Sequence, residues 1–309
     1  MLVLALATLA GYAQTCSDTS SLDNDDLGSS SSSAGYFGDA LATGDFDGDG
    51  LEDVAVGAPR WKSSSGAVLV HYGDSTRYDE VLDISNISGM SSSDKFGAAL
   101  TAGDFNGDGI DDLAIGSPRF DSITYTSDGR VVVLYGDARF GLLFGTSPYN
   151  SVDSWTQADY GGNGPTDGDQ FGEVLAAGDF DDDGYDDLVI GVPREDLSAG
   201  ADSGRVIVHY GGSGGLGSVT ESFNQGAAVT TMRNEPNDRF GSALAVGDFD
   251  DDGHDDLAIG VPYEDHSGLT NVGRIAVKYG GSSGLKAGSS EYLDQSTLAH
   301  TTDHDGNLF

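Results

Sequence analysis

A chain of 309 residues with 51 acidic and 14 basic side chains carries a formal charge of −37, which argues against nucleic acid or anionic membrane as a partner. It does not read as a disordered acidic tail, because 38% of its residues are hydrophobic and its acids gather at regular places. The single cysteine, Cys16, allows no intrachain disulfide, and the length suits one large domain or two ordinary ones.

The chain opens on "MLVLALATLAGYAQT". This apolar run is too short to span a bilayer and reads as a signal peptide over residues 1–15, cut after Ala13. A buried N-terminal strand is the alternative. Export would place the protein outside the cell or on its surface, and no transmembrane helix is evident in this stretch. Cys16 is then either a lipid-modified N-terminus or a free thiol, and "AQT" before it fits a lipid-attachment signal poorly. Residues 16–35 read as a Ser/Asp-rich linker without a strand pattern.

From residue 36 to 309 the chain repeats itself. Phe-Gly recurs at Phe37, Phe96, Phe171 and Phe240. An acidic loop begins eight residues after each Phe, at Asp45, Asp104, Asp179 and Asp248. Fourteen residues further on stands Pro59, Pro118, Pro193 or Pro262. A Tyr-Gly pair then closes each unit's third apolar run, at Tyr72, Tyr135, Tyr210 and Tyr279. The runs either side of the acidic loop, such as "ALATG" and "DVAVGAP", are short, branched and bounded by Gly or Pro, so they read as strands. The second strand is apolar on both faces and must lie between two layers. With "AVLVHYG"-type third strands and weaker fourth ones near "EVLDIS" and "SWTQAD", each unit supplies four antiparallel strands. The expected fold is all-β, a β-propeller of four-stranded blades. A further interval of 69 after Phe240 reaches Phe309, where a fifth unit is expected to begin.

The acidic loops have the donor pattern of a calcium site. Positions 1, 3, 5 and 9 carry oxygen side chains: Asp45, Asp47, Asp49 and Asp53 in loop 1, and Asp104, Asn106, Asp108 and Asp112 in loop 2. Loop 3 has Asp179, Asp181, Asp183 and Asp187, and loop 4 has Asp248, Asp250, Asp252 and Asp256. Position 7 would add a main-chain carbonyl, from Leu51, Ile110, Tyr185 or His254. Calcium takes about 6–8 hard oxygens, which this set approaches, whereas magnesium prefers to keep its waters. Up to four Ca²⁺ ions are expected, one per loop. Glycine at position 6 permits the turn. An EF-hand would need a bidentate Glu at position 12, and there the chain has Val56, Ile115, Ile190 or Ile259. No nucleophile elbow or second metal cluster is evident, so no catalytic residue is assigned and the chain is not expected to be an enzyme. His71 and His209 share a repeat position with Leu134 and Lys278 and are expected on the outer surface.

"FG", "GDFDGDG" and "VGAP" together resemble the FG-GAP repeat of integrin α-chain propellers and of many secreted bacterial proteins. The resemblance implies a larger ring of about seven blades, with calcium in the hairpin between the first two strands. It also implies that a protein or glycan ligand meets the opposite face, where residues 60–66, 119–129, 194–204 and 263–273 form the loops. Arg60, Arg119 and Arg194 either serve that ligand or pair with nearby acids. The function this implies is a cell-adhesion or ligand-binding module. Similar blades also occur in a glycosylphosphatidylinositol-specific phospholipase, so an accessory propeller of an extracellular hydrolase is the alternative, beside a structural spacer.

Overall fold

The computed structural model describes residues 22, 27, 35–74, 77–87, 89–142, 152–160, 165–198, 200–217, 220–229, 232–266, 268–286 and 290–294. The expected signal peptide, Cys16 and Phe309 lie outside the described residues. Each repeat folds as one antiparallel sheet with its strands in chain order. The first contains β1 (Leu41–Gly44), β2 (Asp53–Gly57), β3 (Ala67–His71) and β4 (Glu80–Asp83). The second contains β5 (Ala99–Gly103), β6 (Asp112–Ser117), β7 (Arg130–Leu134) and β8 (Val152–Thr156). The third contains β9 (Val174–Gly178), β10 (Asp187–Val192), β11 (Arg205–His209) and β12 (Thr220–Phe223). The fourth contains β13 (Ala243–Gly247), β14 (Asp256–Val261), β15 (Arg274–Lys278) and β16 (Ser290–Asp294). Among the described residues helix is confined to single turns.

The sheets stack through their apolar second and third strands. Val68, Val70 and Leu82 of the first sheet share a core with Leu113, Ile115 and Val132 of the second. Equivalent cores join the second sheet to the third and the third to the fourth. This explains why β6 and β10 are buried along their whole length. The first strands pack in order, β1 on β5, β5 on β9 and β9 on β13. Among the described residues β13 does not pack on β1 in this way, so the four blades form an arc.

The residues between the sheets account for the Phe-Gly and Gly-Xaa-Pro signals. Phe96, Phe171 and Phe240 are fully buried. The glycine after each of these phenylalanines has positive φ: Gly97 at 83°, Gly172 at 80° and Gly241 at 91°. Its carbonyl lies against Gly57, Gly116 or Gly191 of the preceding sheet, so close that a Cβ there would run into the oxygen. Gly260 occupies the same place in the fourth sheet, and its Cβ would meet only Ala243, at 3.1 Å.

The expected linker contributes two packing residues, and the expectation for His209 needs correction. Leu22 and Leu27, from the expected linker, pack on Val56, Trp61 and Leu69 and cover the first sheet's open face. Their packing removes from water apolar surface that, among the described residues, no sheet covers. His209 is buried, with its ring 4.4 Å from that of Trp155 and Nε2 against the Tyr160 hydroxyl, because the preceding blade's outer strand folds over it. Lys278 is buried too.

Blade docking through glycine gives a matched test. Gly116→Ala should destabilise the protein by about 3 kcal/mol or more, since backbone cannot yield as a side chain can. Gly260→Ala should cost under about 1.5 kcal/mol. Equal losses in chemical denaturation would rule out the carbonyl contact as the cause.

Candidate metal centre

Each acidic loop is the connection between the first and second strands of its sheet. The pairs Gly44–Asp53, Gly103–Asp112, Gly178–Asp187 and Gly247–Asp256 close the hairpins, so position 9 is the first residue of the buried second strand. Inside the loop the carboxylates fold the backbone around themselves. Position 1 accepts from the N–H groups of positions 5 and 6: Asp179 Oδ1 lies 3.2 Å from the Asp183 nitrogen and Oδ2 3.0 Å from that of Gly184. Asp45, Asp104 and Asp248 make the same pair of bonds. Position 5 accepts from the N–H of position 7, with Leu51, Ile110, Tyr185 and His254 donating to Asp49, Asp108, Asp183 and Asp252 at 2.8–3.1 Å.

Position 9 ties the loop to the rest of the blade. Asp112 Oδ2 accepts from Phe105 N–H at 3.0 Å, and Oδ1 from Gly136 N–H, just past β7, at 2.9 Å. Asp53, Asp187 and Asp256 are bonded alike. Burial drives three of these carboxyls upward, Asp53 to about 6, Asp112 to about 8 and Asp187 to about 7, against their backbone N–H bonds. Neighbouring carboxylates push the same way.

Positions 1, 3 and 9 converge. One carboxylate oxygen from each lies within 4.8 Å of the others in Asp45–Asp47–Asp53, Asp179–Asp181–Asp187 and Asp248–Asp250–Asp256. These three acidic clusters could hold a metal ion. Position 5 is not in these groups: Asp49, Asp183 and Asp252 are engaged with the backbone of position 7. Loop 2 has Asn106 at position 3, which accepts from Asp108 N–H at 2.9 Å and sets its amide 3.4 Å from Asp112. In loop 3, Asp181 Oδ1 is buried and makes no hydrogen bond among the described residues. Burial, then the charges of Asp183 and Asp179, raise its pKa above the ordinary value.

Two positions matter that donor counting alone passes over. Position 8 joins neighbouring loops. Asp111, Asp186 and Asp255 accept from the backbone N–H of Asp45, Asp104 and Asp179 in the preceding loop at 2.8, 2.9 and 3.1 Å. The N–H groups of the same three residues return a bond to the same partners' carbonyls. Their recurrence in loops 2, 3 and 4, against Glu52 in loop 1, is the signal that could have revealed them. Position 4 is left-handed throughout, with φ of 68° at Gly48, 70° at Gly107, 54° at Asp182 and 60° at Asp251.

At the other end of the sheets stand the loops between second and third strands. There Arg194 lies 3.7 Å from Glu173, and Arg60 stacks on Tyr36 at 4.0 Å. A cavity of about 300 Å³ opens beside Arg194, Arg239 and Glu173.

Comparison with known proteins agrees with this architecture. The FG-GAP repeat family matches residues 37–71, 96–134, 171–209 and 240–277. Integrin alpha-PS2 of Drosophila melanogaster is 32% identical over 228 residues, covering 73% of this chain and 15% of that one. Integrin alpha-5 of Xenopus laevis is 32% identical over 234 residues, covering 73% of this chain and 20% of that one. Phosphatidylinositol-glycan-specific phospholipase D of Rattus norvegicus is 38% identical over 120 residues, 39% of this chain and 14% of that one. The chain therefore spans a fifth or less of the length of these relatives. With one match in each of its four sheets, it is an FG-GAP repeat protein, similar in this part to the integrin alpha chains.

Proposed function

We propose that this chain is a calcium-stabilised β-propeller module, secreted or on the cell surface, that binds a protein or glycan ligand without catalysis. The observation that carries the calcium reading is the buried, unbonded Asp181 Oδ1 beside Asp179 and Asp187. An oxygen so placed costs free energy unless something positive meets it. A hard, all-oxygen donor set suits calcium. In loop 3 the ligands would be Asp179, Asp181, Asp183 and Asp187 with the Tyr185 carbonyl, and the same positions would serve in the other loops. Bound calcium would supply the counter-charge that lets these carboxylates lie side by side.

The ligand face is assigned to the loops around Arg60, Arg119 and Arg194, by similarity to the integrin alpha chains. The similarity to the phospholipase supports a second reading, a propeller that accompanies a catalytic domain. Either way the four blades are read as part of a larger ring. Phe249 is 51% exposed, whereas Phe46, Phe105 and Phe180 at the same loop position are 0% exposed beneath the next blade.

From positions 1 to 9 the loops hold 5, 4, 6 and 6 acids, or 21 charges against the +8 of four calcium ions. Excess EDTA should therefore lower the melting temperature markedly, with calcium restoring it and magnesium doing so far less. An unchanged melting temperature would sink the calcium reading. Asp179→Ala should weaken binding at loop 3. Asp182→Gly should leave it intact and relieve a left-handed aspartate, so equal losses from both would mean diffuse attraction without a defined site.

The metal-free protein should also respond to pH. Asp53, Asp112 and Asp187 have folded pKa values of about 6, 8 and 7. Unfolded aspartate titrates near about 3.9, so the native state holds extra protons between these limits and loses stability as pH rises through them. Burial lowers the pKa of His209, which acts oppositely but only below its unfolded value of about 6.5. In chelator, melting temperature should fall from about pH 6.5 to 8.5. Glu80, Glu195 and Asp238, each raised to about 7 outside the loops, add to that slope, and saturating calcium should remove only the share due to the loops. A rise over that window in chelator would contradict the assignment.

A further inference from the structure

Loop 1 holds a cation of its own. Arg77, between β3 and β4, brings Nη1 to 3.2 Å from Asp47 Oδ2 at position 3. Two more contacts fix it there. Its Nη2 donates to the Arg139 carbonyl of the next blade at 2.8 Å, and its guanidinium lies 4.7 Å from the centre of the Tyr72 ring. The Arg77 side chain is 22% exposed and that of Asp47 8%, so the pair is shielded from salt more than a surface pair would be. Five residues past the corresponding Tyr, the other units have Phe140, Gly215 and Gly284, none of which can supply a charge.

The remaining loops differ in the same respect. Lys286 lies 2.7 Å from Asp252 of loop 4, but both are substantially exposed and the pair is weakly held. In loop 2 the neutral Asn106 replaces one acid. Loop 3 has no ion-pair partner among the described residues, and Asp181 Oδ1 is left without a hydrogen bond.

We infer that the loops fill with calcium in a set order, loop 3 first and loop 1 last, and that Arg77 sets the last place. The inference rests on the calcium reading above. The guanidinium stands within ion-pair distance of one oxygen of the position-3 carboxylate, without a hydrogen bond from Nη1, and the positive charge it puts beside the incoming ion weakens binding. It also offsets the repulsion among Asp45, Asp47 and Asp49 before metal arrives, so loop 1 depends least on calcium for its shape.

The test is calorimetric titration of the full chain, stripped of metal, with calcium. Wild type should show more than one affinity class. Asp181→Ala should remove a site from the tight class and Asp47→Ala one from the weak class. Arg77→Met, which keeps an apolar stem on Tyr72 and removes the charge, should tighten the weak class about three- to tenfold. The order is overturned if Arg77→Met leaves the weak class unchanged, or if Asp47→Ala takes its site from the tight class. The two aspartate variants decide the matter should Arg77→Met not fold. Four equal sites in wild type would overturn the order alone, and no calcium uptake at all would overturn the calcium reading together with it.

Discussion

The buried aspartate at position 9 is the point on which each blade closes. In the second blade Asp112 joins the nitrogen of Phe105, inside the loop, to that of Gly136, beyond β7. One carboxylate thus fixes the hairpin of strands one and two against the end of strand three. Burying it is tolerable only because both oxygens accept backbone N–H bonds. That solution creates the next problem. The same carboxylate stands beside those of positions 5 and 1, Asp108 and Asp104, whose charge resists its ionisation. The fold demands an acid where electrostatics disfavours one, and a counter-charge is the natural resolution.

Docking between blades depends on a different set of atoms. Glycine faces carbonyl where Gly116 meets Gly172, an approach no other residue would permit. Aspartate meets backbone where Asp186 grips the nitrogen and carbonyl of Asp104. The first contact sits at the end of the second strand, and the second contact at its beginning. A buried second strand such as β10 is thus tied to the preceding blade at its start, through Asp186, and to the following blade at its end, through Gly191. The side-chain cores then fill the space between.

Much of this was legible in the sequence because the repeat is an intramolecular comparison. Four registers of Phe37-like and Asp45-like residues distinguish a structural demand from chance, and the strands follow from the apolar runs between them. What escaped was of another kind. Asp111, Asp186 and Asp255 act on the preceding unit, 66 to 82 residues away, and a search within each unit cannot see such partners. Position 4 hid its left-handed geometry because Asp182 and Asp251 stand where Gly48 and Gly107 stand, and aspartate tolerates that region better than most residues. His209 looked external by its repeat position. Its burial comes from Trp155 and Tyr160, which belong to the least regular part of the unit. Leu22 and Leu27 lie in a run of small polar residues with no periodicity, and only the uncovered face of β2 gives them a role.

The fourth blade separates the two sets of constraints. Asp248 cradles the nitrogens of Asp252 and Gly253, and Asp256 those of Phe249 and Gly280, as in every other loop. Yet Phe249 is half exposed, and the neighbours of Gly260 among the described residues are those of Ala243 in its own blade, with no carbonyl from another. The cage is therefore complete within one blade, while docking requires a second. Position 1 is where the two meet: its side chain shapes the cage, and its backbone nitrogen and carbonyl belong to the next blade's aspartate. A charge drawn into the cage acts on the same residue that anchors the neighbour, so a cation held there would steady the joint between blades as well as the loop that holds it.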